Sequence, residues 1–140
     1  MISINPYLNF LGNTEEAMNF YRPVFGGQFA ALERFKDSPG YEKMPEEEWE
    51  KIMHIRLPMG PKDVIMATDA LASMGQTLTK GNNFYIRVST ESEAETNKFF
   101  KALSAGGTLE MPLNNTFWGA YCGMCTDKFG IQWMINFDLP

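Results

Sequence analysis

The chain has 140 residues, of which 44% are hydrophobic and 21% are charged, and its formal net charge is -5 at pH 7. This length fits a single domain, 1–140, and the composition is that of a globular protein. The acidic balance and the absence of a lysine and arginine cluster argue against nucleic acid as a partner. No apolar run approaches the roughly 20 residues that span a bilayer, and the N-terminus lacks signal-peptide features, so we expect a cytoplasmic protein with no membrane partner.

Residues 1–78 read as a strand, a helix and three further strands. The stretch "ISINPYLNF" alternates apolar and polar side chains, which predicts a strand, and Pro6 places it at a sheet edge or strand start. "NTEEAMNFYRPVFGG" predicts a helix that Pro23 distorts or ends and Gly26 stops. Strands are predicted at "QFAALERFK", "IMHIRLPM" and "DVIMATDA". Residues 37–51 form an acidic excursion in which "PEEEWEK" is a candidate short helix.

Residues 79–140 repeat this order. "NFYIRVST" predicts a strand, "ESEAETNKFFKALSAGG" a helix, and "TLEMPL", "WGAYCGMCT" and "IQWMINF" three strands. Asn83 and Tyr85 echo Asn5 and Tyr7 at a distance of 78 residues. Matching landmarks lie 78 to 80 residues apart in the first half of each module and about 68 apart after the excursion, which the second module lacks. The pattern therefore predicts an α+β protein of two βαβββ modules.

Several segments carry a resemblance to a known superfamily: "PYLNF", "EEAMNFY", "HIRL", "VIMATD" and "WGAYCGMCTDKFGIQWMIN". With them the chain resembles the vicinal oxygen chelate superfamily, which contains glyoxalase I, bleomycin-resistance proteins and extradiol dioxygenases, and in particular its PhnB-like, or demethylubiquinone-methyltransferase-like, branch. The resemblance covers essentially the whole chain. It implies that the paired modules form an eight-stranded open cup with the helices outside and a ligand inside, and it implies a homodimer.

The superfamily's metalloenzymes take one metal ligand from the first and one from the last strand of each module. Aligned on the alternation and the turn glycines, these positions fall on Asn5, Met66, Asn83 and Met134. Divalent metals in such sites favour histidine and glutamate, whereas asparagine is a poor donor and a thioether is too soft. We therefore expect no metal at the usual site and no cofactor.

The only histidine, His54, is the one candidate for acid–base catalysis, although a hydrogen-bonded structural role is favoured. It shares a strand face with Arg56, which we assign to the cup, and the two together could hold an anionic group. The predicted ligand-binding residues are Asn5, Tyr7, His54, Arg56, Met66, Asn83, Tyr85 and Met134, and the same faces carry Asn9, Thr68, Arg87 and Gln132.

Two other motifs have structural explanations. Cys122 and Cys125 have the spacing of a redox dithiol but lie in a predicted strand, where residues three apart point to opposite faces. The pairs Gly26-Gly27 and Gly106-Gly107 follow helices, and no G-x-G-x-x-G occurs. The sequence therefore does not predict a methyltransferase.

The leading hypothesis is a protein that binds an unidentified small organic molecule in the cup without a metal. Whether it is an enzyme is left open, and binding without turnover is the favoured interpretation. One alternative is an enzyme that uses His54 as acid or base on a small carbonyl or anionic substrate. The other is a dimeric structural or interaction module whose cup is filled by its own side chains.

Overall fold

The computed structural model describes all 140 residues of the chain. These divide into two compact units, Met1–Thr79 and Lys80–Pro140, one residue from the expected module boundary. No helix is long and apolar enough to cross a membrane.

The first unit has one helix on a four-stranded open sheet. Its strand order is β1-β4-β3-β2, with β1 parallel to β4 and the other neighbours antiparallel. One face of the sheet packs against the helix, because alternate residues such as Leu8, Ile55 and Ile65 are buried there. The elements are β1 (Tyr7–Phe10), α1 (Thr14–Phe25), β2 (Ala31–Arg34), β3 (Ile52–Pro58) and β4 (Val64–Asp69).

The second unit repeats this arrangement in the order β5-β8-β7-β6, with β5 parallel to β8. Its helix covers the face on which Trp133 and Ile135 are fully buried. The elements are β5 (Ile86–Ser89), α2 (Glu93–Ser104), β6 (Thr108–Asn115), β7 (Ala120–Thr126) and β8 (Gln132–Asp138). The prediction of two βαβββ modules is confirmed.

Three local predictions were wrong in detail. The first strand begins only at Tyr7, although β1 is an edge strand as Pro6 indicated. Pro23 lies inside α1, which continues to Phe25 because the Gly26 N–H, in a left-handed residue (φ 74°), donates to the Arg22 carbonyl at 2.8 Å. The candidate helix at "PEEEWEK" is a single 3-10 turn, Glu46–Glu48.

The N-terminus of α1 is capped from a distant strand. Asn13 occupies the capping position but its side chain makes no capping hydrogen bond. The buried Asp69 carboxylate, at the end of β4, instead accepts from the backbone N–H of Thr14 at 3.0 Å and of Ile52 at 2.8 Å. One carboxylate thus fixes the start of the helix and the start of β3 together.

A second buried carboxylate, Asp127, organises the β7–β8 turn. It accepts hydrogen bonds from the backbone N–H groups of Phe129 (2.8 Å) and Ile131 (3.1 Å) and from the indole N–H of Trp133 (2.8 Å). Gly130 supplies the left-handed residue of the turn (φ 92°). These contacts explain the Asp-x-Phe-Gly turn and the tryptophan of the last strand as one unit.

Strand register gives the equivalence of the two modules. Arg56 pairs with Met66 as Met124 pairs with Met134, an offset of 68 residues. Met66 also pairs with Tyr7 and Met134 with Arg87, an offset of 80. The echo of Asn5-x-Tyr7 at 78 residues is therefore not a structural equivalence, because Arg87 and not Tyr85 occupies the level of Tyr7.

The difference between the two offsets, twelve residues, lies between the helix and the third strand of each module, where the first carries the acidic excursion. A 3-10 turn, Phe35–Asp37, leads into the excursion, which contains two further 3-10 turns, Tyr41–Lys43 and Glu46–Glu48, and an edge-to-face contact of Tyr41 with Trp49 (ring centroids 5.1 Å apart). At its base Arg34 donates two hydrogen bonds to the Glu15 carboxylate on α1, at 2.6 and 3.0 Å.

Candidate functional site

Each sheet has one face without a helix, which we call its helix-free face. On the first sheet one row of this face runs across all four strands, because Ala31 pairs with Arg56, Arg56 with Met66, and Met66 with Tyr7. His54 lies on the same face, two residues from Arg56 on β3. The structure therefore brings together four of the predicted ligand-binding residues.

Tyr7 and His54 form the best-defined polar contact on this face. The Tyr7 hydroxyl lies 3.3 Å from Nδ1 of His54, and the ring centroids are 5.8 Å apart. The two residues are on β1 and β3, so the tyrosine side chain reaches across β4. This contact orients the imidazole and leaves its Nε2 outside the pair.

Arg56 is an exposed cation without a carboxylate partner. No Asp or Glu oxygen lies within 4 Å of its guanidinium group, and its contact on this face is with the Met66 sulfur, 3.9 Å from Nη1. Arg34 on the neighbouring strand, by contrast, is fully committed to Glu15 and Glu50. The guanidinium of Arg56 thus keeps its hydrogen-bond donors for another group.

The asparagines of the repeated motif have different environments. The Asn5 Oδ1 accepts the backbone N–H of Val64 at 3.2 Å, so this side chain extends the β1–β4 pairing ahead of the start of β1. Asn83 is exposed in a bend ahead of β5. Their contacts with a ligand stay predictions.

A divalent metal does not fit the residues at these positions. The register places Tyr7 beside Met66 and Arg87 beside Met134, so the assignment of Asn5 and Asn83 as matching first-strand positions was wrong. A guanidinium and two thioethers cannot replace histidine and carboxylate ligands. No group of three or more His, Cys, Asp or Glu side chains comes close enough together to hold a metal ion.

The helix-free face of the second sheet carries a row of three methionines. Met111 pairs with Met124, Met124 with Met134, and Met134 with Arg87. All three methionines are half-buried. Arg87 donates to the Ser89 hydroxyl at 2.7 Å and lies 3.8 Å from an Asp138 carboxylate oxygen, both toward the C-terminal ends of β5 and β8.

Next to this row lies a polar cluster around Glu110. The β6–β7 register shifts between Leu109 and Met111, and Glu110 at the shift has no paired residue. Its carboxylate accepts hydrogen bonds from the hydroxyls of Tyr85 and Thr126. The hydrogen bond from Thr126 has the larger effect and that from Tyr85 the smaller, and both lower the pKa of Glu110. The hydrogen bond to Glu110 in turn raises the pKa of Tyr85.

Glu110 and Thr126 were missed by the sequence interpretation. Nothing in "TLEMPL" marks the register shift that turns Glu110 onto this face. The predicted Tyr85 and Met134 do lie here, and the buried Gln132 donates to the Phe84 carbonyl at 2.5 Å.

The two cysteines are buried free thiols. Cys122 lies on the helix-free face and Cys125 on the face that packs against α2, beside Trp133 in register. Burial raises the pKa of Cys122, and it raises the pKa of Cys125 to about 12. The structure therefore supports the structural interpretation of both thiols.

Comparisons with known proteins match nearly the entire chain. The family model described as 3-demethylubiquinone-9 3-methyltransferase matches residues 2–136. The chain is 38% identical to the protein PA1353 of Pseudomonas aeruginosa, whose crystal structure superposes with a TM-score of 0.87 over 100% of both chains. It is 25% identical to the PhnB protein of Bacillus cereus, with a TM-score of 0.77 over 97% of this chain and 99% of that one.

A more distant structure identifies the fold. A glyoxalase/bleomycin resistance protein/dioxygenase family enzyme of Burkholderia phytofirmans PsJN is 20% identical and superposes with a TM-score of 0.61, over 95% of this chain and 97% of that one. The fold expected from the resemblance, two open four-stranded sheets each with one helix, is confirmed.

Proposed function

Because the chain belongs to the PhnB-like family described as 3-demethylubiquinone-9 3-methyltransferase, within the glyoxalase/bleomycin-resistance superfamily, we propose that it binds a small organic anion without a metal. The unpaired Arg56 guanidinium carries this proposal. It lies beside a thioether and a tyrosine–histidine pair, which offer a polarisable surface and a hydrogen-bonding edge. An arginine whose guanidinium has no carboxylate partner can bind the carboxylate or phosphate of a ligand through two parallel hydrogen bonds.

The family's description names a methyl transfer, which we do not assign to this chain. The glycine pairs follow the helices, whereas a nucleotide-binding loop precedes one. We propose that S-adenosylmethionine does not bind, and isothermal titration with that compound tests this directly.

The anion site is tested with phenylacetate as the probe, in protein labelled with [methyl-¹³C]methionine. We expect the Met66 methyl resonance to shift, with a dissociation constant of about 10 mM or tighter for a ligand of this size. Arg56→Met should weaken binding by about tenfold or more, since a hydrogen bond to a charged group contributes about 1.5–3 kcal/mol. The control Lys62→Met removes an exposed cation from the β3–β4 turn and should leave binding unchanged.

Two results would overturn the proposal. One is equal binding of phenylacetate by the Arg56→Met and Lys62→Met variants. The other is one equivalent of tightly bound divalent metal per chain, measured by elemental analysis of protein purified without a chelator.

The Tyr7–His54 contact favours a second candidate, an enzyme in which His54 acts as acid or base on a small carbonyl or anionic substrate. A substrate screen of the wild-type protein and His54→Ala tests it. An activity that survives the substitution undiminished excludes this role for His54.

We also propose that the protein forms a homodimer, as its superfamily resemblance implies. Light scattering coupled to gel filtration should give about twice the 15.9 kDa mass of the chain. A mass of one chain at micromolar concentration contradicts it.

A further inference from the structure

We infer that the helix-free face of the second sheet holds a binding site for a protonated amine, with the Glu110 carboxylate as its counter-ion and the methionine row and the Tyr85 ring as its apolar walls. No feature of the first sheet enters this proposal, so it stands or falls independently of the anion site.

The carboxylate of Glu110 is available to a cation. Glu110 is exposed, and no lysine, arginine or histidine nitrogen lies within 4 Å of it. An ionised carboxylate offers about four lone-pair positions, and the hydroxyls of Tyr85 and Thr126 occupy two. Two acceptor positions therefore remain for the N–H groups of a cation.

An irregularity in the pairing of β6 with β7 sets the position of the carboxylate. The register shift between Leu109 and Met111 leaves Glu110 unpaired with β7, and β-bulges of this kind redirect side chains. Glu110 is redirected across the sheet, because it meets Thr126 on β7 and Tyr85 ahead of β5. The two hydroxyls hold the carboxylate in one orientation, so little side-chain freedom is lost when a cation binds.

The side chains around Glu110 suit an organic ammonium group. The paired Met111, Met124 and Met134 provide a polarisable apolar surface that adapts to different ligand shapes. An aromatic ring next to a carboxylate is a favourable environment for an ammonium group. The cation that β5 presents on this face, Arg87, is engaged with Ser89 and Asp138 at the far ends of β5 and β8, where it does not compete.

The experiment titrates the [methyl-¹³C]methionine protein with phenethylamine, with the uncharged phenethyl alcohol as a matched probe. We expect phenethylamine to shift the resonances of the methionine row, with a dissociation constant of about 10 mM or tighter, and phenethyl alcohol to bind about tenfold more weakly.

Glu110→Gln isolates the charge. Each hydroxyl can donate or accept, so a glutamine amide can keep both contacts while it removes the negative charge. We expect this variant to bind phenethylamine about tenfold more weakly than wild type and phenethyl alcohol equally well. Glu33→Gln, which removes an exposed carboxylate from the first sheet, is the matched control and should change nothing.

Comparison of the ligand-free spectra of wild type and Glu110→Gln shows whether the variant is folded, because dispersed methyl resonances of Met66 on the first sheet and Met124 on the second require both sheets to be packed. If phenethylamine and phenethyl alcohol bind equally, or Glu110→Gln and Glu33→Gln behave alike, the inference is wrong. Loss of the phenylacetate response alone would contradict the anion site and leave this one standing.

Discussion

We predict that Asp127→Asn lowers the free energy of unfolding by about 3 kcal/mol. The buried carboxylate accepts two backbone hydrogen bonds on one oxygen and the indole N–H of Trp133 on the other. An asparagine has an oxygen at only one of these places. If that oxygen serves the backbone of Phe129 and Ile131, the amide NH₂ faces the indole N–H and two buried donors oppose each other.

The magnitude follows from those contacts. Loss of one charge-assisted hydrogen bond costs about 1.5–3 kcal/mol, and a buried donor without an acceptor costs about 1–3 kcal/mol. Both costs concern the same indole contact and are not fully additive, and the two backbone bonds survive in neutral form, so a value near the lower end of the combined range, about 3 kcal/mol, is expected. For a chain of this length the change corresponds to a fall in melting temperature of about 10 °C.

Urea unfolding followed by far-ultraviolet circular dichroism measures the effect. Asp63→Asn, at an exposed position before β4, is the control and should change stability by less than about 0.5 kcal/mol. Trp133→Phe removes the opposing donor, so in that background Asp127→Asn should cost about 1–2 kcal/mol less. An equal cost in both backgrounds would refute the donor–donor argument, and a cost below about 1 kcal/mol would refute the role of the carboxylate.

Three further outcomes are expected. Gly107→Ala places a Cβ 2.1 Å from a backbone carbonyl oxygen and should destabilise the protein strongly, whereas Gly60→Ala meets nothing within 4 Å and should be neutral or slightly stabilising in the same urea assay. The hydrogen bond from Arg34 lowers the pKa of Glu15 in the folded state. The ion pair therefore stabilises the folded state fully above the unfolded-state pKa of Glu15, near 4.5, and this contribution is lost as the pH falls through the lower folded-state pKa. Glu15→Gln should lower the free energy of unfolding by about 0.5–1 kcal/mol at pH 7 and should have no effect at a pH below both pKa values. Cys125, buried and with its pKa raised to about 12, should resist iodoacetamide at pH 8 in the folded protein and react once urea unfolds it, and mass spectrometry of the alkylated chain detects the difference.

Most of the fold could be predicted because it depends on local patterns. Alternation placed seven of the eight strands close to their observed bounds, and the helix-stopping role of Gly26 was visible in the sequence. The cap of α1 could not be predicted, since the residue that accepts its hydrogen bond, Asp69, is 55 residues away from Thr14. Pro23 was overrated as a helix breaker because the last turn is completed by Gly26.

The sequence predicted the strand face of each candidate residue more accurately than its register position along the strand. Strand side chains alternate with a period of two, so a two-residue error in register, as between Tyr85 and Arg87, keeps every residue on the correct face. For that reason the shared strand face of Tyr7, His54, Arg56 and Met66 was predicted correctly, and their contact with a ligand stays a prediction. Glu110 was not predicted, because the irregular register of β6 with β7 interrupts the alternation of side chains on which the prediction depends.

The acidic excursion also has a consequence for local opening of the chain. No residue of its 3-10 turns Tyr41–Lys43 and Glu46–Glu48 is buried, so its backbone is held mainly by short-range hydrogen bonds and the Tyr41–Trp49 contact. Amide protons in such a segment exchange through openings that cost far less free energy than global unfolding. The strands on either side stay closed in these openings, because Arg34 anchors the end of β2 to α1 and Asp69 anchors the start of β3. In the first unit, amide protons of the sheet should therefore exchange slowly, whereas those of the excursion should exchange quickly through local opening.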